Sequence, residues 1–585
     1  MNKKMNRHCE EAQRMKRLPL TKQSAAPHPA PLLRERESGR LHNPVVFAFA
    51  LLFSLFIHAP SFAQDGLKPE NIEVVSDFNP LIADAVKINF PATLPDREAS
   101  GKLELFYETP VQLLSTPFSP TPLKPIAIAK EKPEQFPMSY FKVGFGTQLS
   151  PLFEALWNDG KYEKLHYGAY FRHFSSRGSK INHQDFNTNH VSVFGNAFMK
   201  KARFDSKIDY HRDGVVYYGY DHSDTTFKKK DIKQFFNDFV FSNSITNTKN
   251  PHEFNYKADL DFGYFSDKFD RSEFYFRGAV QMDKIFRNKH FVTLKLAEDF
   301  NVFNSEPASQ VGFSVPRKRN IFTVKPVYEY NDRTWRIWGG VDLTWENNIF
   351  HLFPETGMER SLWDNYIISY STWRMELNRT SYKTLTADNP WIGNDFELRN
   401  TWYEDRSTGL KGTVKNFSYD VRFGQRLVRR MPIFVNDTTD MKTFVVQYDP
   451  RTNILTFHAE LFYHAMRDLD FSLTFDFFDY EMDDVAQPWH LPNFMIDFNT
   501  RYTIKKKVFL TFDFLVRDGV KALLPGNETK ELNPTADINI GATYKFSKHF
   551  SFFCNLNNLA SIKYEKYYLY PSYGFNGMIG AIFTY

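Results

Sequence analysis

A strict alternation of apolar and polar residues, in long segments repeated along the C-terminal part, constrains this chain more than anything else in it. Leu455, Phe457, Ala459, Leu461 and Tyr463 alternate with Thr456, His458, Glu460 and Phe462. Phe471, Leu473, Phe475 and Phe477 alternate with Ser472, Thr474 and Asp476. Ile538, Ile540, Ala542 and Tyr544 alternate with Asp537, Asn539, Thr543 and Lys545. Successive side chains of a β-strand point to opposite faces, so each segment has one apolar and one polar face. These segments run about 9 to 12 residues, enough to cross a bilayer at a tilt, where an ordinary strand has about 5 or 6. Asp, Asn, Arg and Thr on the second face suit a wet lumen. The pattern predicts an all-β fold, a transmembrane antiparallel β-barrel of roughly 16 to 22 strands, even in number. Earlier segments at residues 191–198, 254–264, 274–282, 335–345 and 366–377 repeat the habit less cleanly.

The connections agree. Residues 466–468, 505–507 and 546–549 read as tight joints, and residues 479–492, 518–534 and 561–572 as longer loops. If Tyr585 ends in the periplasm, counting back strand by strand puts every tight joint on that side, as in outer-membrane barrels. Mean hydropathy is −0.47, as expected where only alternate side chains meet lipid. Aromatic residues make up 17% of the chain, with 60 Phe and 30 Tyr, which suits a lipid face with two interfacial girdles. The net charge of +5 is spread along the chain, with no basic stripe, so nucleic acid is not an expected partner.

The one long apolar run, residues 45–57, is too short to span a bilayer as a helix and is followed by Ser61-Phe62-Ala63. It reads as a signal peptide cut after Ala63. Residues 1–63 are therefore expected to be leader and signal, residues 64–137 a short proline-rich periplasmic or lumen-filling segment, and residues 138–585 the barrel. Removal of the leader takes Cys9 and leaves only Cys554, so neither a disulfide framework nor a cysteine-based metal site is expected.

The chain ends inside an alternating segment, with Tyr573, Phe575, Ile579, Ala581, Phe583 and Tyr585 on one expected face. Just before it stands Asn557-Asn558-Leu559-Ala560-Ser561-Ile562-Lys563-Tyr564-Glu565, then Tyr570-Pro571. This run resembles the last hairpin of TonB-dependent receptors, with Ala560 in place of their usual aromatic residue. The resemblance implies that the final strand is read by barrel-assembly machinery. It also implies a setting in outer-membrane lipid and, as partners, a TonB-type energiser or other envelope proteins. The stretch between Ala63 and Ser139 departs from the family pattern, being too short for the usual globular plug. Residues 77–88 (DFNPLIADAVKI) resemble the N-terminal segment of plug-less, receptor-like barrels.

No P-loop, dinucleotide fingerprint, HExxH or GxSxG occurs, so no catalytic residue is assigned and no enzyme is expected. The densest group of ligand-type residues is His211, Asp213, Asp221, His222 and Asp224. Arg212-Asp213-Gly214 reads as a hairpin turn and residues 221–230 as a solvated loop, so neither a metal site nor a cofactor is expected. His458 and Glu460 read as lumen lining. Two functions stand ahead of a third and least supported one, a membrane hydrolase: a receptor- or transporter-like barrel for an unidentified nutrient or ligand, and a plug-less structural or secretion-associated barrel that binds envelope partners.

Overall fold

The computed structural model describes residues 139–585 apart from 160–163, 179–180, 224–225, 248–253, 306–317, 395 and 438–440. The expected leader, the cut after Ala63 and the segment 64–137 lie outside the described residues. Twenty-two strands form one antiparallel sheet, from Ser139–Gly146 to Asn576–Thr584. The last strand pairs with the first, from Tyr140↔Thr584 to Gly146↔Met578. Ser139 N–H donates to the Tyr585 carbonyl at 3.0 Å and Tyr585 N–H to the Ser139 carbonyl at 2.9 Å, which finishes the seam. The barrel is thus closed, at the upper end of the expected strand range.

The two faces follow the sequence pattern. In the strand Asn255–Asp267, Tyr256, Leu260, Phe262 and Tyr264 are exposed, while Phe265 is buried on the inner side. Outward apolar side chains of this kind recur around the ring, among them Val193, Ile208, Ile337, Phe423 and Ile540. At the end of the barrel that carries Tyr585, exposed Trp157, Trp363, Tyr366, Phe546 and Phe550 gather beside the turns. Trp157 stands 5.8 Å from Tyr167, and Trp363 lies 5.4 Å from Tyr366, ring centre to ring centre. Amphipathic rings at the ends of an apolar belt are an interfacial girdle.

Parity holds in the structure. Residues 199–201, 287–289, 332–334, 364–366, 415–416, 467–468, 505–507 and 546–549 all turn at the end where the chain stops. Arg287 and Asn288, and again Lys505 and Lys506, have positive φ, from 47° to 57°. Two successive left-handed residues match the strand twist and close a short hairpin without glycine. The opposite end holds the long connections 217–232, 379–400, 430–451, 483–493, 519–534 and 558–575. Three tight turns, at 147–149, 268–271 and 347–348, interrupt them there.

Two expectations change. Arg212-Asp213-Gly214 is not a turn, because the strand Ala202–Val216 (15 residues) runs straight through it. Ladders on both sides, His190↔His211 and His211↔Asp238, override the local turn preference of Asp-Gly. Several strands are also longer than expected, for example Ser272–Phe286 and His290–Asn304, each 15 residues. At about 3.3 Å per residue such a strand reaches about 50 Å, beyond an apolar band about 25 Å tall even when tilted. The surplus forms a rim at the outer end.

Leu260→Arg places a cation near the middle of the lipid face and is expected to cost about 2–4 kcal/mol, measured by urea unfolding in lipid vesicles. Asp259→Asn, on the inner face of the same strand, is expected to cost less than about 1 kcal/mol in the same assay.

Candidate functional site

The outer rim carries a packed cap. Inner-face residues at the outer ends of three strands, Phe236, Phe265 and Phe303, belong to one buried cluster with Tyr382, Leu385, Ile392, Phe396 and Leu398 of the connection 379–400. Val446 and Tyr448 of the hairpin Met431–Asn436/Phe444–Asp449 complete it. Tyr382 stacks on Phe396 at 5.3 Å and meets Phe265 edge-on at 5.7 Å. Loops from strands far apart around the ring then meet over the mouth. Tyr217 Oη donates to the Ile392 carbonyl (3.2 Å), Tyr567 Oη to the Asp388 carbonyl (2.8 Å) and Tyr218 Oη to the Pro571 carbonyl (3.1 Å). Trp391 stacks on Tyr570 at 3.9 Å. Gly219 is required here, since a Cβ on it would lie 2.1 Å from the Tyr570 ring.

Buried charge fixes the cap to the wall. The Asp267 carboxylate, with its side chain fully buried, accepts from Arg271 Nε (2.8 Å) and Nη2 (2.7 Å), Gln234 Nε2 (2.9 Å) and Tyr382 Oη (2.7 Å). It also accepts from the backbone N–H of Phe269 and Arg271. Arg271 spends a further donor on the Gly393 carbonyl at 3.1 Å. One carboxylate thereby ties a wall strand, a tight turn and the long connection together. Burial pushes the Tyr382 phenol well above its ordinary pKa, so it stays a donor. A second buried acid, Glu273, accepts from Arg319, Asn301 and the backbone N–H of Lys383. That last bond lies at the start of the helix Tyr382–Asp388, where Ser381 provides the N-cap and an anion is favoured.

A third tie is an imidazole. His490, in the connection 483–493, donates from Nδ1 to the Phe434 carbonyl at 2.9 Å and accepts at Nε2 from the Tyr568 N–H at 3.3 Å. Three outer connections meet at this ring. Burial lowers its pKa to about 4, so it is neutral at ordinary pH and has both a donor and an acceptor.

Below the cap the wall is polar. The ladders place Arg172, His190, His211 and Asp238 side by side on four consecutive strands. His190 and His211 stack with ring centres 3.7 Å apart, and His190 Nε2 lies 2.9 Å from Asp209 Oδ1. Lys383 reaches down from the cap to Asp238 and to Tyr275 Oη, each at 2.6 Å. Tyr275 lies flat across Gly263, where a Cβ would stand 1.9 Å from the ring. Further round, His458 Nδ1 meets Asp476 at 2.6 Å, and Glu460 shares that face.

The sequence-based group around His211 does not assemble. His222 turns back to the Tyr218 carbonyl (3.0 Å) and Asp221 caps Ser223, whereas His211 joins His190 and Asp209. Asp224 lies outside the described residues. His190 was missed because its partner sits across a ladder, and only register reveals that.

The run Asn557 to Glu565 organises the last outer connection. Asn557 bonds Asn576 (3.0 Å), and buried Asn558, at φ 48°, bonds the Ile562 and Tyr573 carbonyls (2.7 and 3.0 Å). Leu559 and Lys563 face solvent, Tyr564 Oη donates to Asp537 (3.3 Å), and Glu565 accepts from the Leu569 N–H (3.3 Å). Ile579, Ala581 and Phe583 lie in the final strand and Tyr585 follows it; Ile579 and Tyr585 face outward. Tyr573 and exposed Phe575 precede the strand, and Tyr573 Oη donates to the Gln184 carbonyl at 2.5 Å, an inter-loop contact.

Neither a protein-family profile nor a curated protein sequence matches the chain. Solved structures do. The FrpB iron transporter from Neisseria meningitidis superposes with a TM-score of 0.61 at 7% identity, over 77% of this chain and 83% of that one. The fold is that of the outer-membrane receptor barrels. The siderophore receptor PirA from Acinetobacter baumannii gives 0.59 at 9% identity, over 77% and 81% of the two chains. The ferric-catecholate import receptor Fiu from E. coli K12 gives 0.59 at 8% identity, over 78% and 82%. The resemblance to TonB-dependent receptors thus carries through the barrel of this outer-membrane protein, and at such identities it concerns fold.

Asp267→Ala leaves Arg271 buried without its partner and is expected to destabilise the cap by about 3–5 kcal/mol, read as faster hydrogen exchange in residues 382–400. The His490 tie has its own pH window. Its folded pKa lies below the ordinary value of 6.5, so its stabilisation is complete above that value and is lost as pH falls towards about 4. Exchange at residues 430–451 and 483–493 is expected to rise over that window in the native protein and to lose this pH dependence in His490→Gln.

Proposed function

We propose that this outer-membrane barrel is a receptor that captures a ligand at its capped outer face and admits it through the lumen. The observation that carries the reading is the closed 22-strand wall whose long outer connections interlock over the mouth. A wall of that width leaves a lumen wide enough for a solute, and such a lumen needs closing. A cap held by a few buried bonds is suited to rearrange when a ligand supplies competing contacts. Ferric siderophore complexes are the first ligands to test, since the neighbours include an iron transporter and siderophore receptors. The proposal takes residues 1–63 as leader and signal and residues 64–137 as the lumen-filling segment. It adds a TonB-type energiser in the periplasm and barrel-assembly machinery that reads the final strand.

The test is single-channel conductance of the full mature protein in a planar bilayer, with and without residues 64–137. The full protein is expected to hold the bilayer closed; the deletion, which keeps the cap, is expected to conduct in brief openings, and strongly once Asp267→Ala has loosened the cap. A steady large conductance from the full protein would replace the receptor reading with an open pore. Silence in both forms would move the structural, partner-binding reading ahead.

A further inference from the structure

We propose that His190, Asp209 and His211 form a binding site for a divalent first-row transition-metal ion on the lumen wall. The three residues lie on two adjacent strands, Asp185–Phe198 and Ala202–Val216, and each offers one ligand atom within 4.8 Å of the others. Two imidazoles and a carboxylate are the donor set that such ions take, with further positions left for water. The site is built on rigid elements. Direct pairing of His190 with His211, and of Ser192 with Asp209, brings the three inward-facing side chains together without a loop.

Two of the three ligands already stand near the spacing of a bound ion. His190 Nε2 and Asp209 Oδ1 are 2.9 Å apart, close to the ~3.3 Å edge of a tetrahedron with bonds of about 2.0 Å. His211 is the ligand that must move. Stacked rings aim their in-plane lone pairs in parallel, so His211 has to turn about its terminal torsion, which is broad for an imidazole. Among the described residues no side-chain hydrogen bond restrains that ring. The other Asp209 oxygen, Oδ2, is held by Lys207 Nζ at 2.8 Å, which orients the carboxylate. Arg172 beside His190 and Asp238 beside His211 place one cation and one anion next to the site. The His190 and Asp209 side chains keep 22% and 12% of their exposure, so lumen water reaches the site. Binding at His190 Nε2 takes the neutral ring with its one proton on Nδ1, so the Nε2–Asp209 hydrogen bond gives way to the two bonds to the ion.

The inference concerns one place on the wall and does not depend on what passes through the barrel. The full chain, freed of metal by a chelator, is titrated with Zn²⁺ by calorimetry, and with Co²⁺ by visible absorption. One ion per chain is expected, with a Co²⁺ spectrum of nitrogen and oxygen ligation. His190→Ala, Asp209→Asn and His211→Ala are each expected to weaken binding by about tenfold or more. His211→Gln keeps the bulk of the ring and serves as a second variant, while His464→Ala, at a separate exposed histidine–aspartate pair, is expected to bind as the native protein does. Unchanged affinity in the His190, Asp209 and His211 variants, or no saturable binding by the native protein, would falsify the site.

Discussion

No backbone donor or acceptor of this wall can face lipid unpaired, and the rest of the structure depends on that constraint. Each unpaired group in hydrocarbon costs several kcal/mol, so an open sheet edge is excluded. The seam between Ser139–Gly146 and Asn576–Thr584 removes the last edge. An antiparallel ring closes by hairpins only if both of its ends lie on one side, and Ser139 and Tyr585 meet there with reciprocal hydrogen bonds. Most of the tight turns share that side. The long connections are left on the other.

The cap follows from a second constraint. Strands of 13 to 15 residues overshoot the apolar belt, and the outer ends of Lys233–Asn247, Asn255–Asp267 and His290–Asn304 carry phenylalanines on the inner face. Those rings would stand in a wet lumen unless something covered them. The connection 379–400 and the hairpin Met431–Asn436/Phe444–Asp449 cover them, and the buried carboxylates of Asp267 and Glu273 fix where they sit. A buried ion pair is weak as a source of stability but specific in geometry, since a misplaced loop leaves a charge stranded. The apolar cluster supplies the burial, and Asp267 with its donors selects one arrangement of the cap.

The lumen wall contrasts with it. Below the cap, histidines, acids and bases alternate along strands whose other face meets lipid. The stacked His190 and His211 differ from the satisfied pair His458–Asp476, although all four are lumen residues of strands. His458 has a cross-strand carboxylate at 2.6 Å, whereas the His211 side chain has a neighbouring ring and no hydrogen bond among the described residues.

The sequence by itself determined the wall. The alternation of Leu455 to Tyr463 and its repeats requires one wet and one apolar face, and the joints at 466–468, 505–507 and 546–549 fix parity. Both are local properties of the chain, so they are legible without coordinates. Only the tertiary structure decided strand number, the run of strand through Arg212-Asp213-Gly214, and the cap. The Asp267 network joins residues from a strand end, a turn and a connection more than a hundred positions later, and no spacing in the chain announces it. The same holds for His190 and His211, which meet because hydrogen-bond register places residue 190 opposite residue 211. Register is set by the sum of all ladder and turn contacts, and a slip of one residue would turn these side chains to lipid.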